Sequence, residues 1–263
     1  MQKKRIVIAG SAALAFVLAG ASGAGAQSAQ AIVERANAVV SEAKTYQATE
    51  MMVMSLGAMG STTLDMNMKM IPGKKSNIKT SADPAAQGTG QMAMANALMS
   101  SQAVDDGKNL YLYMPFMNKY FKMPHGANAG GMTGMGMGVT PGDLKLQKGT
   151  YKLLAPTKID GRPMYTISFK PAAGAPSSPG MQLQTFLLYI DKENYHIKRV
   201  QVTGSAQGQP VIITMTLLNE KFNAPIPANT FVFTPPAGAT EQQGGLGGIM
   251  GGMGGAGGMR PGQ

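Results

Sequence analysis

The 263-residue chain contains no cysteine. That absence excludes disulfides, thiolate metal sites and thiol nucleophiles, and it also excludes anchoring through the lipidated cysteine of a bacterial lipoprotein. Tryptophan is absent too and aromatic residues make up only 6% of the chain, whereas methionine occurs 23 times. Any core is therefore filled by flexible thioether side chains where other proteins use rigid rings. Acids are scarce, 13 against 23 Lys and Arg, and the formal net charge is +10. No HExxH, GxSxG or Walker-type sequence is present, and the two histidines, His125 and His196, stand far apart. Asp106 and Asp160 precede Gly and Asp191 opens the turn Asp191 to Asn194, so all three read as turn formers rather than general bases. A GxGxxG match at Gly252, Gly254 and Gly257 follows no strand and opens no helix, so it reads as low complexity. These absences point to a protein that is not an enzyme and carries no cofactor.

Residues 1–26 place Lys3, Lys4 and Arg5 before an apolar stretch from Ile6 to Ala21 and end in Ala24, Gly25 and Ala26. This is the layout of a secretory signal peptide. The stretch is diluted by Gly and Ser and falls short of the ~20 strongly apolar residues of a membrane span, so cleavage after Ala26 and a periplasmic or otherwise exported chain are expected. Loss of the three leader cations takes the net charge from +10 to +7. For an exported protein the counterpart of that charge is an anionic membrane surface or an acidic partner rather than nucleic acid, although solubility accounts for it equally well. Residues 27–240 form the expected single domain. Residues 241–263 are nearly pure Gly with a few Leu, Ile and Met, too poor in packing groups to offset ordering entropy, and are expected to be disordered.

From Ser28 to Lys44 the apolar positions Ile32, Ala36, Val39, Val40 and Ala43 recur at helical spacing, which predicts one amphipathic helix. From Tyr46 the period becomes two. Leu64, Met66, Met68 and Met70 alternate with Asp65, Asn67 and Lys69, as in a strand with one dry and one wet face. Further strands are expected at Lys108–Met114, Lys119–Met123, Tyr151–Ile159, Pro163–Lys170, Leu183–Ile190, His196–Thr203, Pro210–Leu218 and Thr230–Thr234. Turn residues separate many of them, so antiparallel hairpins are the economical connection. Asp83–Ser101, with a short helix over Met92–Met99, Gly126–Gly142 and Ala172–Gly180 read as insertions. The fold class is mainly β: a helix followed by a long meander that the helix can cover.

Methionine admits more than one reading. On a concave sheet face it forms an adaptable apolar lining, because three rotatable bonds and a polarizable sulfur let the wall repack around acyl chains. Thioethers at x-Met-x-Met spacing are alternatively soft ligands for Cu(I), for which Met132, Met135 and Met137 near His125 form the better cluster. Ordinary core filling is the third reading.

The segment Asp105-Asp106-Gly107-Lys108-Asn109-Leu110-Tyr111-Leu112-Tyr113-Met114-Pro115-Phe116 resembles the DGK-aromatic-x-Y-x-P-F strand pair of the LolA outer-membrane lipoprotein carriers. Phe231-Val232-Phe233-Thr234-Pro235-Pro236-Ala237-Gly238 resembles that family's closing F-x-F-x-P-P-x-G signature. The N-terminal helix running into a strand at Tyr46, the Pro72 turn and the leader occur in the matching order, so the resemblance covers roughly Gln30 to Gly238. It implies an unclosed antiparallel half-barrel capped by the N-terminal helix and short helices or loops, with a hydrophobic cavity for the acyl chains of lipoproteins or lipids. It further implies membrane donor and acceptor proteins and transient contact with a membrane surface. Related domains of this fold act instead as envelope-stress sensors or scaffolds. Family carriers latch the lid with an arginine on an early strand. Here Arg35, Arg162, Arg199 and Arg260 are the arginines after the leader, none between Tyr46 and Thr80, so that latch is missing or replaced. The expected cavity lining is Met52, Met54, Leu64, Met66, Met68, Met70, Leu110, Leu112, Met114 and Phe116. A one-residue slip of strand register would exchange the faces and turn Tyr111 and Tyr113 inward instead.

Overall fold

The computed structural model describes residues 27–57, 60–82, 96–97, 99–125, 149–172, 181–206 and 208–242. The leader, nearly all of the terminal Gly-rich segment, the loop holding Met132, Met135 and Met137, and most of the expected Met92–Met99 helix lie outside them.

Helix α1 spans Ala29–Ser41. Ser28 caps it, its hydroxyl accepting a hydrogen bond from the Ala31 amide at 3.1 Å, which satisfies one of the first-turn donors a helix leaves open. Ile32, Val33, Ala36 and Val40 form its buried stripe. The Arg35 guanidinium lies 4.0 Å from the centre of the Tyr195 ring, and the Tyr195 hydroxyl donates to Gln27, so the same aromatic holds the helix and the residue before its cap.

Among the described residues thirteen strands follow: β1 Tyr46–Ser55, β2 Ser61–Ile71, β3 Lys75–Ala82, β4 Ser101–Asp105, β5 Asn109–Met114, β6 Lys119–Pro124, β7 Gly149–Leu153, β8 Thr157–Ile159, β9 Arg162–Pro171, β10 Met181–Asp191, β11 Ile197–Ala206, β12 Gln209–Phe222 and β13 Thr240–Glu241. They form one sheet in the order β13-β6-β5-β4-β3-β2-β1-β12-β11-β10-β9-β7, with β8 also on β9, and the end strands do not pair to close it. All pairings are antiparallel except that of β13 with β6. The mainly β, open, helix-capped architecture agrees with the expectation from sequence. The first and last long strands meet at the centre, because β1 pairs with β12.

Three local differences have physical causes. The expected strand Tyr151–Ile159 is split into β7 and β8. Its pairing with β9 passes from Leu153↔Ile167 to Thr157↔Met164, one residue too many on this side, around a Pro156 that has no N–H to give. The expected strand Thr230–Thr234 is instead a 3₁₀ turn, Ala228–Phe231, followed by extended chain. Prolines 225, 227, 235 and 236 flank it and remove the amide donors a ladder needs. Strands β3 and β4 carry almost no apolar alternation and are held by their neighbours. The turn aspartates behave as expected. Asp106 accepts from the Lys108 and Asn109 amides at 2.7 Å, Asp191 accepts from the Glu193 amide at 2.9 Å, and Asp160-Gly161, both at positive φ, close the two-residue β8–β9 hairpin.

Candidate functional site

Register determines the faces. Met52 is opposite Leu64 on β2 and Met215 on β12, Glu50 is opposite Met66 and Leu217, and Ala48 is opposite Met68. Residues directly opposite share a face, so Met52, Met54, Leu64, Met66, Met68 and Met70 form one surface with Ile213 and Met215. All are buried in a single cluster with the apolar stripe of α1. This is the inner face. Direct pairs carry it through Met68↔Ile78, Ile78↔Ala103 and Ala103↔Leu112 to β5.

Six of the ten residues expected to line a cavity thus stand together in the buried cluster that includes the stripe of α1. Leu112 is buried on the same face farther out, opposite Phe121. Leu110 and Met114 are half-buried on that side of β5. Phe116 leaves the sheet in the 3₁₀ turn Pro115–Met117 and is 52% exposed. Tyr111 and Tyr113 point to the opposite face, their partners being Val104 and Gln102.

Sequence reasoning missed Glu50. It is 1% exposed on the inner face, and its Oε1 has no hydrogen-bond partner. Burial pushes its carboxyl up to about 8, which keeps it uncharged at neutral pH. The signal was available: Tyr46, Ala48, Met52 and Met54 share its parity along β1.

A second buried carboxylate is fully compensated. One extra residue in β12, with Asn219 at φ 51°, makes a bulge next to Glu220. The Tyr46 hydroxyl donates to Glu220 at 3.1 Å, Lys198 donates to it, and His196 Nδ1 lies at 3.7 Å. Burial opposes its ionisation, but the nearby His196 ring and the Lys198 ammonium outweigh it and hold the carboxyl below its ordinary value. His125 pairs instead with Asp105 at 2.8 Å, at the exposed end of β6. The two histidines therefore belong to separate ion pairs, and no group of three His, Asp or Glu able to hold a metal ion occurs among the described residues.

The outer face bears the segment after β12. Phe233 stacks on Tyr111 with centroids 5.0 Å apart and tilts against Tyr120 at 5.3 Å, while Phe231 is buried. Asn77 donates to the Thr230 carbonyl at 2.6 Å, and beyond Gly238 the chain continues into β13, where Glu241 is paired with Tyr120. The two motifs read separately in the sequence, around Tyr111 and around Phe233, thus meet in one aromatic stack. Between this strap and strands β2 to β4 lies a groove of about 540 Å3, lined by Asn67, Lys69, Asn77, Lys79, Gln102 and the strap residues 229, 230 and 232–234. None of the ten expected lining residues borders it. Phe233→Ala removes the ring shared by Tyr111 and Tyr120 and is expected to cost roughly 1–3 kcal/mol. Urea unfolding would read that loss, and limited proteolysis should then cut after Phe222 first.

No protein-family profile matches the chain, and no curated protein does. Solved structures do. An uncharacterized conserved protein from Thermus thermophilus aligns with 81% of this chain and 99% of its own at 12% identity and a TM-score of 0.49. A LolA superfamily protein from Nitrosomonas europaea aligns with 79% of this chain and 99% of its own at 12% identity, TM-score 0.40. The lipoprotein LppX of Mycobacterium tuberculosis aligns with 76% of this chain and 97% of its own at 14% identity, TM-score 0.44. At these identities the likeness is one of chain path, not of side chains.

Proposed function

We propose that this chain is an exported carrier that takes the acyl chains of a lipid or lipoprotein onto the inner face of its open sheet, without enzymatic turnover. The observation that carries this reading is the continuous thioether and aliphatic surface formed by Met52, Met54, Leu64, Met66, Met68 and Met70, buried in one cluster with the apolar stripe of α1. Helix α1 is joined to β1 through residues 42–45 and held besides by Tyr195, so it can shift as a unit once that ring lets go, and methionines repack around whatever replaces it. Each methylene brought out of water contributes about 0.8 kcal/mol, so such a face competes with a membrane for its cargo. The resemblance of the Asp106 and Phe231 segments to lipoprotein carriers points the same way. A donor and an acceptor at the membrane follow from carriage.

Two measurements test it. Native mass spectrometry of protein isolated from its own envelope is expected to show added mass that solvent extraction releases as acylated lipid. A fatty acid bearing a diazirine near its methyl end is expected to label peptides from residues 46–71 and 209–222 after irradiation. No adduct mass, together with labelling spread over exposed residues, would remove the proposal.

A further inference from the structure

We infer that the groove on the outer face, beneath the strap, is a binding site for a phosphate or phosphodiester group. It lies on the side of the sheet away from the methionine face and is independent of acyl binding. Its floor is a checkerboard of two cations and two amides set by register: Lys69 stands opposite Asn77, and Asn67 stands opposite Lys79, so the lysines are diagonal neighbours on adjacent strands. Diagonal positions lie about 7–8 Å apart, close enough for both ammonium groups to reach one anion. Gln102, opposite Lys79 on β4, extends the floor, and Asn229, Thr230 and Thr234 supply further polar groups from the strap.

The charges make this floor unusual. No carboxylate borders the groove, and among the described residues neither Lys69 nor Lys79 makes an ion pair. Asp65, the next outward residue along β2, is exposed outside the lining and is not paired with Lys79. Two like charges side by side repel, and an anion between them reverses the sign of that interaction. The amides are partly pre-oriented: Gln102 donates to Asn77 Oδ1, Asn77 donates to Thr230, and Asn67 Oδ1 accepts from Thr49, which leaves the Asn67 amide nitrogen as a donor. The volume of about 540 Å3 is that of a small-ligand site. Val232, 64% exposed, and Phe233 give it an apolar wall suited to the glycerol or alkyl part of a phosphodiester. The same chemistry is offered by a free phosphodiester and by a phospholipid headgroup.

Titration calorimetry of the full chain with glycerophosphoglycerol, and flotation with phosphatidylglycerol vesicles against phosphatidylcholine vesicles, distinguish the two sources. Saturable binding of the soluble diester, or binding to the phosphatidylglycerol vesicles only, is the expected result, and either should weaken about tenfold or more in Lys69→Ala, Lys79→Ala. The control is Lys152→Ala, Lys158→Ala, which removes the same charge from β7 and β8. Equal loss in the control reduces the effect to net charge and overturns the site. Absence of binding in both arms overturns it as well, as does binding of polyglutamate with no response to the diester.

Discussion

A Met66→Asp, Met68→Asp double variant is expected to lose the native fold, whereas Asn67→Asp, Lys69→Asp, made on the same strand, should remain folded. Both methionines are 4% or less exposed in the cluster beneath α1, and Met66 stands directly opposite the uncharged Glu50. Each new carboxylate there would be buried without a partner, at a cost of several kcal/mol, against a total stability of about 5–15 kcal/mol for a typical domain. The outward pair is exposed, and changes at such positions are usually worth about 0.5 kcal/mol or less. Far-ultraviolet circular dichroism and urea titration read both outcomes. A folded inward variant would mean that the register of β1 and β2 is one residue off. It would also mean that the methionine face is open to water, where an aspartate is harmless.

Stability should fall as pH rises from 5 to 9, and Glu50→Gln should abolish that fall. In the unfolded chain this carboxyl ionises near its ordinary value of 4.5, whereas burial raises it to about 8 in the fold. Between those values the native state holds a proton that the unfolded state has released, so increasing pH favours unfolding throughout the window, and the loss is complete above about 8. The neutral amide of Gln keeps the shape and has no proton to lose. At pH 9 the variant is therefore expected to be more stable than the parent, on the order of a few kcal/mol. Urea midpoints at half-unit pH intervals would measure this. Equal slopes for parent and variant would place Glu50 in contact with water or with a cation.

Glu220 acts in the opposite sense. Its carboxyl is held below the ordinary range, so its contribution is present above that range and disappears as pH falls through it. Asp106, at the surface turn and held down by the Asn109 and Lys108 amides, acts in the same direction. Together with Glu50, whose contribution declines on the alkaline side, these groups place the stability maximum at the upper edge of the carboxylate range, near about pH 5. Glu50 also bears on the proposed carriage: below about 8 it adds no charge between Met52 and Met66, so an acyl chain meets no ion at that point.

Much of this was determined by the chain locally. The spacing of Ile32, Ala36 and Val40 specifies α1, because one helical face must be apolar to be buried. The alternation of Leu64, Met66, Met68 and Met70 with polar residues fixes which side of β2 is dry, since the side-chain period of a strand is two. The turns at Asp106 and Asp191 follow from side chains that bond their own backbone, and the turn at Asp160-Gly161 from two residues that tolerate positive φ. The motifs around Tyr111 and Phe233 pointed to an open, helix-capped antiparallel sheet, which is the architecture found.

The tertiary structure decided what depends on pairing between distant segments. No local pattern brings β1 beside β12, gathers Glu50 with Leu217, or turns β3 and β4 into strands when their own residues are mostly polar. Phe231 and Phe233 look like strand residues in sequence. They become part of a strap because the rings that hold Phe233, Tyr111 and Tyr120, come from a hairpin more than a hundred residues earlier. The groove containing Lys69 and Lys79 exists only once that strap lies across the sheet. Periodicity is a property of neighbours along the chain, whereas cavities, buried charges and facing surfaces belong to neighbours in space, and loop closure alone joins the two.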